Sequence, residues 1–210
     1  MRRPRIFVLA GVNGAGKSSI GGEALQRLGL NWFNPDTFTR QLIATTGAPL
    51  HDANAAAWQE GLRRLEYAIA NGHDYAFETT LGGNTIPATL LKAAASHAVL
   101  MWFCGLDSPE HHLARVRFRV SQGGHDIPEV KIRERYIASI QHLIVLLPSL
   151  TRLHVYDNSV DAIVGQTTPD PRLLLQLTQG RITWPQHAND LQQTPAWAKP
   201  ILEAALSRFT

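Results

Sequence analysis

Short, continuously apolar runs alternate along the chain with longer amphipathic stretches. The run at residues 6–10 is apolar at every position, as expected of a strand that is covered on both faces in a parallel sheet. A helical stretch follows at 17–28 and ends at Gly29. Strand and helix then repeat in this order, which predicts an α/β fold with a mostly parallel sheet and helices on both sides.

The other predicted elements continue this alternation. Strands are predicted at 31–33, 75–78, 99–104 and 152–156, and helices at 53–70, 86–96, 109–122 and 128–147. A β-hairpin is predicted from 172–177 and 181–184, and a last helix from 195–209. The predicted architecture is a three-layer, doubly wound sheet whose ligands bind beyond the carboxyl ends of the strands.

Length and composition fit one globular domain. The 210 residues, 44% hydrophobic and 18% charged, can bury a substantial core but are too few for two ordinary domains and a linker. We therefore expect a single domain over 1–210, in which a C-terminal hairpin and helix occupy about 165–210. The 20 basic and 17 acidic residues include no long basic run, so nucleic acid is not indicated as a partner.

The cysteine and histidine content argues against a disulfide framework or a structural metal. Cys104 is the only cysteine, and the nine histidines lack the spacing of a zinc site. The apolar run at 6–10 is too short for a signal-peptide core, and no other run is long enough to span a bilayer. These observations predict a cytoplasmic protein without a membrane partner.

A phosphate-binding motif lies between the first predicted strand and the first predicted helix. The segment 11–18, Gly-Val-Asn-Gly-Ala-Gly-Lys-Ser, fits the pattern G-x-x-x-x-G-K-[ST]. Its glycines allow backbone N–H groups to point at phosphate oxygens, while Lys17 reaches the β- and γ-phosphates and the Ser18 hydroxyl ligates magnesium. A glycine-rich turn that only joins strand to helix is the alternative. We predict ATP and Mg2+ as cofactors, with nucleotide contacts from Gly11, Asn13, Gly14, Ala15, Gly16, Lys17, Ser18 and Ser19.

Other classes of nucleotide-binding protein lack their motifs here. The chain contains no Asn-Lys-x-Asp motif, with which a GTPase reads its base. It also contains no apolar strand that ends in Asp-Glu, as transport and ring-forming ATPases have. Kinases of small molecules or nucleotides are the class that fits a chain of this length.

Two acidic residues stand where predicted strands end. Asp36 is predicted as the general base that accepts the proton of the acceptor hydroxyl. The alternative is that Asp36 only caps a helix that starts at Thr37. Glu78, followed by the small polar residues Thr79 and Thr80, is predicted to bind a substrate hydroxyl or water around magnesium.

A lid is predicted over about 115–136, where arginines cluster on two helices. The Gly-Gly pair at 123–124 makes the connection between these helices flexible, and Pro128 stiffens its end. The segment is therefore predicted to fold over the triphosphate and to exclude water.

Three lid arginines are candidates for phosphate contacts: Arg119, Arg133 and Arg135. Successive residues of a helix are about 100° apart, which predicts Arg133 within the apolar stripe of its helix and Arg135 on the flank. A solvated, arginine-rich surface is the alternative, and it is the favoured interpretation for Arg117.

Together these motifs resemble the zeta-toxin family of P-loop kinases, which phosphorylate UDP-N-acetylglucosamine at a sugar hydroxyl, and the chain is most similar to its compact branch. The resemblance covers about residues 5–160. It is carried by 11–18, Asn34-Pro-Asp36 with Arg40, 77–80, the lid segments 115–119, 123–128 and 133–136, and 156–159.

The resemblance implies a role for each matching residue. By it, Asp36 deprotonates the acceptor, Lys17 bridges the phosphates, and the lid arginines neutralise the transferring phosphoryl group, with Arg119 and Arg135 the better matches. It also implies that Asn158 borders the nucleotide base. Substrate contacts are assigned to Asp36, Arg40, Glu78, Thr79 and Thr80.

The acceptor that the resemblance implies is a small molecule such as UDP-N-acetylglucosamine or another nucleotide sugar. An ATP-binding switch without kinase activity and a kinase of a different small metabolite are the alternatives. An antitoxin partner is compatible with the resemblance, although no stretch of the chain indicates a surface for it.

Overall fold

The structure is a computed structural model that describes residues 2–161 and 169–209, and the strands described there form one sheet. They are β1 (Arg5–Ala10), β2 (Tyr75–Thr79), β3 (Ala98–Gly105), β4 (Arg152–Asp157), β5 (Arg172–Thr178) and β6 (Arg181–Trp184). Their spatial order is β2-β1-β3-β4-β5-β6. Strands β1 to β4 are parallel, and β5 and β6 pair in the antiparallel sense.

Most of the helices connect successive parallel strands. They are α1 (Lys17–Arg27), α2 (Pro35–Thr46), α3 (Leu50–Asn71), α4 (Thr85–Ala93), α5 (Pro109–Ser121), α6 (Glu129–Leu146), α7 (Ala188–Gln192) and α8 (Lys199–Phe209). In the described residues no helix combines the length and the apolar character that a membrane span requires.

Both faces of the sheet are covered. Ile6, Val8 and Ala10 of β1 belong to one buried cluster, and Phe7 and Leu9 belong to another. Side chains of α3, α4, α6 and α8 pack in the first cluster and a leucine of α1 packs in the second. The continuously apolar strand is therefore buried on both sides, which confirms the predicted three-layer α/β fold.

The prediction of a strand at 31–33 is wrong. Only Phe33 pairs with the sheet, as an isolated parallel bridge to Phe77. The chain turns away immediately afterwards, because the Asn34 side chain accepts a hydrogen bond from the backbone N–H of Thr37 and begins α2. Asp36 therefore lies inside the first turn of α2, and the alternative that it caps a helix starting at Thr37 is wrong as well.

The remaining differences concern helix boundaries and the C-terminal part. Helix α3 starts at Leu50, directly after Pro49, three residues before its predicted start, and α4 ends at Ala93 instead of 96. Helix α7 was not predicted, and α2 was considered only as the helix that Asp36 would cap. The β5–β6 hairpin lies where it was predicted, whereas α8 begins at Lys199 instead of 195. Residues 165–168 and 210 of the predicted C-terminal part lie outside the described residues.

Candidate active site

The glycine-rich loop joins the carboxyl end of β1 to the first turn of α1. Gly11 has φ 137°, and a Cβ atom there would lie 2.1 Å from the carbonyl oxygen of Cys104, so only glycine fits. Helix α1 begins at Lys17, and the N–H groups of Ser19 and Ile20 already donate to the Gly16 carbonyl oxygen. The N–H groups of Lys17 and Ser18 precede the first position that has an i−4 partner within the helix. The loop therefore presents backbone donors and the positive end of a helix to the space beyond the sheet, as an anion site requires.

Lys17 and Ser18 meet Glu78 at the carboxyl edge of the sheet. Lys17 Nζ lies 3.4 Å from Glu78 Oε1, and the Ser18 hydroxyl donates to Glu78 Oε2 at 2.8 Å. The side chain of Asn34 donates to the same oxygen at 2.9 Å. Parallel pairing aligns Leu9 with Glu78, which is why this carboxylate stands beside the loop. It is thus placed against the predicted phosphate- and magnesium-binding groups.

Asp36 is held between two residues of the predicted lid. Arg119 Nη1 donates to Asp36 Oδ2 at 3.1 Å, and His125 Nε2 lies 3.7 Å from Asp36 Oδ1. The Nε atom of Arg119 is buried and has no hydrogen-bond partner among the described residues. A buried donor without a partner is costly, so this position suits an incoming anionic oxygen.

Arg135 and His112 both contact Asn13 of the loop. Arg135 Nη1 donates to the Asn13 side-chain oxygen at 2.8 Å, and burial lowers the pKa of this guanidinium. His112 Nδ1 lies 2.8 Å from the Asn13 carbonyl oxygen. Burial lowers the pKa of His112 to about 4, so its ring is neutral at pH 7 and donates from Nδ1. Asn13 is thereby joined to both α5 and α6.

Arg133 lies outside the site. It is exposed, and its guanidinium pairs with Glu110 and Glu129, each at 2.7 Å. The prediction that Arg133 projects within the apolar stripe of α6 is wrong, and Arg135 is the inward residue. The buried face of α6 consists of Ile132, Ser139, Leu143 and Leu146. At about 100° per residue this face includes position 135 and excludes position 133.

Asn158 and Arg115 support the loop from the end of β4. The Asn158 side chain donates to the Ala15 carbonyl oxygen at 3.0 Å. Arg115 donates to the Asn158 carbonyl oxygen at 2.7 Å and to Asp161 at 2.9 Å. Asn158 therefore touches the backbone of the loop itself, and its predicted contact with the nucleotide base stays a prediction.

The loop after β2 contains a residue with a strained backbone, and a histidine anchors that residue. Leu81 has φ 56°, which is unfavourable for a side chain of its size, and it is 1% exposed. His142 of α6 holds its carbonyl oxygen at 2.7 Å. The backbone of Thr79 in turn accepts from the N–H of Gly11 at 3.2 Å. Thr79 and Thr80 are thus fixed beside the glycine-rich loop.

Two cavities meet at these residues. The P-loop pocket, about 460 Å³, lies between the glycine-rich loop and the lid, and Ser19, Arg40 and Arg119 contribute to its wall. The α3 pocket, about 270 Å³, extends from Thr80 toward Trp58 of α3. Residues that line both pockets are Asn13, Lys17, Asn34, Asp36, Glu78 and His125.

Most predicted site residues therefore converge on one place, but several contacts were not predicted. His112, His125 and His142 were assigned no role, although each touches the loop, the candidate base or the loop after β2. The Gly-Gly-His sequence of the lid was the one signal for His125. The other two lie on helices whose sequences show no motif.

Comparisons with known proteins agree with this arrangement at the level of the fold. A chain in the structure of AvrRxo1-ORF1 with ORF2 and ATP matches with a TM-score of 0.67 and 14% identity, over 97% of this chain and 64% of that one. This chain thus spans less than two thirds of that neighbour's length. A chain of the PezAT toxin–antitoxin system of Streptococcus pneumoniae matches with a TM-score of 0.54 and 16% identity, over 99% and 86% of the two chains. The prediction of a zeta-toxin-like P-loop kinase is confirmed for the fold.

A sequence relative is known as well. An uncharacterized protein of Haemophilus influenzae is 32% identical over 141 residues, which make up 65% of this chain and 94% of that protein. No protein-family model matches the chain.

Proposed function

We propose a phosphoryl-transfer function for this chain, which belongs to the same family as the uncharacterized Haemophilus influenzae protein and has the fold of the zeta-toxin-like P-loop kinases. The proposed reaction moves the terminal phosphoryl group of ATP to a hydroxyl group of a small molecule. The whole reaction takes place where the P-loop pocket and the α3 pocket meet.

The observation that carries this proposal is the set of residues shared by the two pockets. A phosphoryl transfer needs a nucleotide and an acceptor on opposite sides of the transferring group, with a base on the acceptor side and cations around the phosphoryl oxygens. Lys17 and Asp36 both line the boundary between the pockets. A nucleotide in the P-loop pocket and an acceptor in the α3 pocket would therefore meet at the residues that this chemistry requires.

Four charged residues that line the two pockets have a proposed task. Asp36 accepts the proton of the acceptor hydroxyl, and Lys17 contacts the β- and γ-phosphates. Arg119 donates from its unpartnered Nε to an oxygen of the transferring group. Arg135 presents to the same group a guanidinium that burial leaves poorly solvated. Fixed cations in a site shielded from water stabilise the charge of the transition state more than they would in water.

Magnesium fits the same edge of the sheet. The Ser18 hydroxyl and the Glu78 carboxylate lie 2.8 Å apart, and both are the hard oxygen donors that Mg2+ prefers. The described residues contain no group of three or more His, Cys, Asp or Glu side chains that could hold a metal ion. The ion would thus be bound jointly by protein oxygens and by the phosphates of ATP. When bound, Mg2+ neutralises the charge of the β- and γ-phosphate oxygens.

The acceptor and any protein partner are further parts of the proposal. The family resemblance makes UDP-N-acetylglucosamine the first nucleotide sugar to test, beside nucleosides and small sugars. The PezAT neighbour belongs to a toxin–antitoxin system, which makes an antitoxin a partner to look for.

The role of Asp36 is tested with Asp36→Asn and Lys17→Ala in the purified protein with Mg-ATP and an acceptor panel. We expect Asp36→Asn to lower turnover by about 100-fold or more, the usual effect of removing a general base, while ATP still binds. Lys17→Ala should lose ATP affinity. Product is followed as a mass gain of one phosphate on the acceptor.

Asp52→Asn is the matched control, because Asp52 is an exposed aspartate in the first turn of α3. It should behave like the wild type. Unchanged turnover in Asp36→Asn would contradict the base assignment. ATP binding without turnover of any acceptor in the wild type would instead favour the nucleotide-dependent switch.

A further inference from the structure

The two pockets differ in charge. The P-loop pocket is lined by more cations than acids, namely Lys17, Arg40, Arg115 and Arg119 against Asp36 and Glu78. The α3 pocket has equal numbers, namely Lys17, Lys131 and Arg135 against Asp36, Glu78 and Asp126. Electrostatic attraction therefore favours phosphate groups in the first pocket and not in the second.

The cations of the α3 pocket are also engaged. Lys131 Nζ lies 2.9 Å from a carboxylate oxygen of Glu134, and Arg135 donates to Asn13 at 2.8 Å beside the glycine-rich loop. Lys17 faces the transferring phosphoryl group. A second phosphate or diphosphate in this pocket would lose its water and face three carboxylates, while Lys131 and Arg135 already contact other groups, which is unfavourable.

The far wall of the α3 pocket is apolar. Its apolar lining includes Phe33, Trp58, Leu62, Phe77, Ile86 and Ile127. The Trp58 side chain is 49% exposed, so part of its ring surface is free to stack against a ligand. A polar group stands on the same wall at Asn54, whose Oδ1 accepts from the Thr39 hydroxyl at 3.2 Å. This wall suits the face of an apolar or aromatic ring.

The volume of the α3 pocket also favours a compact acceptor. Its volume of about 270 Å³ lies just below the range of roughly 300–1,000 Å³ in which proteins hold drug-sized ligands. A compact acceptor fills such a space, whereas a nucleotide sugar would have to extend past Trp58 into solvent.

We propose that the acceptor is a compact, uncharged alcohol with an apolar or aromatic ring, of the size of a nucleoside or an aryl glycoside. This inference rests on the proposed phosphoryl transfer. The acceptor oxygen forms a bond to the γ-phosphorus while the bond from that phosphorus to the β–γ bridging oxygen breaks. The hydroxyl proton passes to Asp36, ADP leaves, and the ring stays against Trp58.

The test compares acceptors that differ in charge. Uridine, phenyl β-glucoside, UMP and UDP-N-acetylglucosamine are each given to the protein with Mg-ATP, and phosphate gain is followed by mass. Binding of uridine and UMP is measured in parallel with the P-loop pocket filled by a non-hydrolysable ATP analogue. We expect uridine and the glucoside to exceed UMP and UDP-N-acetylglucosamine about tenfold or more in kcat/KM. UMP should also bind about tenfold or more weakly than uridine, which isolates the effect of charge from the loss of the 5′-hydroxyl, because a phosphate in this pocket faces as many carboxylates as cations.

Trp58→Ala tests the stacking wall. It should lower kcat/KM for the uncharged acceptors about tenfold and leave ATP affinity unchanged, since aromatic stacking contributes on that order. Tyr67→Ala is the control, because Tyr67 is an aromatic residue of the same helix with 57% exposure that does not line the pocket.

The possible results separate this inference from the proposed function. Phosphate gain confined to UMP or UDP-N-acetylglucosamine would overturn the uncharged acceptor and leave the kinase standing. Failure of the wild type to bind Mg-ATP would overturn the kinase itself. If ATP binds but none of the uncharged compounds binds or gains phosphate, the assignment of the α3 pocket is overturned.

Discussion

At the residue scale, His112 shows how a side chain outside any motif supports the glycine-rich loop. Its ring is 1% exposed, stays neutral and donates to the Asn13 carbonyl oxygen, while its edge packs against Tyr136 at a ring separation of 5.7 Å. The side-chain oxygen of Asn13 in turn accepts a hydrogen bond from Arg135. A protonated His112 would place a further positive charge near Lys17 and Arg115, on a side chain that is itself buried.

This burial makes stability depend on pH. The pKa of His112 is lowered from 6.5 to about 4, so the stabilising contribution is complete above pH 6.5 and is lost as pH falls through 4. The loss amounts to about 3 kcal/mol at low pH. His112→Asn keeps a donor and does not titrate, so its free energy of unfolding should fall less steeply between pH 6.5 and 4 when measured with urea.

The exposed His51 supplies the control for this comparison. His51→Asn makes the same substitution at a side chain that is 93% exposed, so it removes no buried histidine. Identical slopes for the wild type and His112→Asn would contradict the buried neutral histidine.

At the element scale, the connection between α5 and α6 fixes where Arg119 stands. The N–H of Gly124 donates to the Arg119 carbonyl oxygen at 3.0 Å, which folds the chain back over the end of α5. A Cβ atom on Gly124 would lie 2.8 Å from Arg119 Cγ. Gly124 therefore brings the connection close to the side chain of Arg119, which holds Asp36, so this position requires glycine for close approach.

Gly124→Ala should displace Arg119 and weaken phosphoryl transfer. We expect kcat/KM to fall at least tenfold, because small displacements of positioned groups have effects of this size. Acceptor phosphorylation measures the change. Gly83→Ala is the control, since a Cβ there would have no atom within 4 Å and the backbone is not in the left-handed region. Equal activity of both variants would show that Arg119 keeps its place without the close approach.

The elements that sequence patterns predicted well are those whose local signal and tertiary environment agree. The apolar run of β1 and the glycine-rich loop are examples, because burial of the strand on both faces and the close approach of Gly11 to Cys104 leave few other sequences. The strand at 31–33 failed because a capping asparagine at position 34 starts a helix before a ladder can form. The capping residue Asn34 therefore sets the start of α2, and the apolar pattern alone did not indicate it.

The candidate site was predicted in part for a similar reason. Spacing and motif placed Lys17, Asp36 and Glu78 at one edge of the sheet, which is where the structure has them. The helical periodicity of α6 pointed to Arg133 because the apolar stripe was drawn through half-buried residues, whereas Ser139 marks the buried face; the family resemblance had favoured Arg135. Which of two arginines points inward depends on the helix's neighbours, and a single sequence does not contain that information.

At the scale of the whole molecule, the C-terminal part completes the core on which the site rests. Trp197 is 6% exposed, its ring lies 6.3 Å from that of Phe103, and its Nε1 donates to Asp157 at 3.2 Å. Asp157 ends β4, next to the asparagine that holds the glycine-rich loop. The last helical segments therefore stabilise the sheet edge at which both pockets open.

Trp197→Ala should destabilise the fold by about 3–5 kcal/mol, the usual cost of removing a buried aromatic residue. Chemical denaturation followed by circular dichroism measures it. Trp58→Ala removes a tryptophan that is half exposed and should change the free energy of unfolding by only about 0.5 kcal/mol. Similar losses in the two variants would contradict the structural role of the C-terminal part.

The direction of β1 also decides how the protein can be attached to a surface. Arg2 and Arg5 are tied to Asp74 at the amino end of the sheet, while the glycine-rich loop begins at its carboxyl end. The length of one strand, roughly 20 Å at about 3.3 Å per residue, separates the two. A biotin group at the N-terminus therefore leaves both pockets facing the solution, so immobilised protein can be used for the nucleotide and acceptor binding measurements.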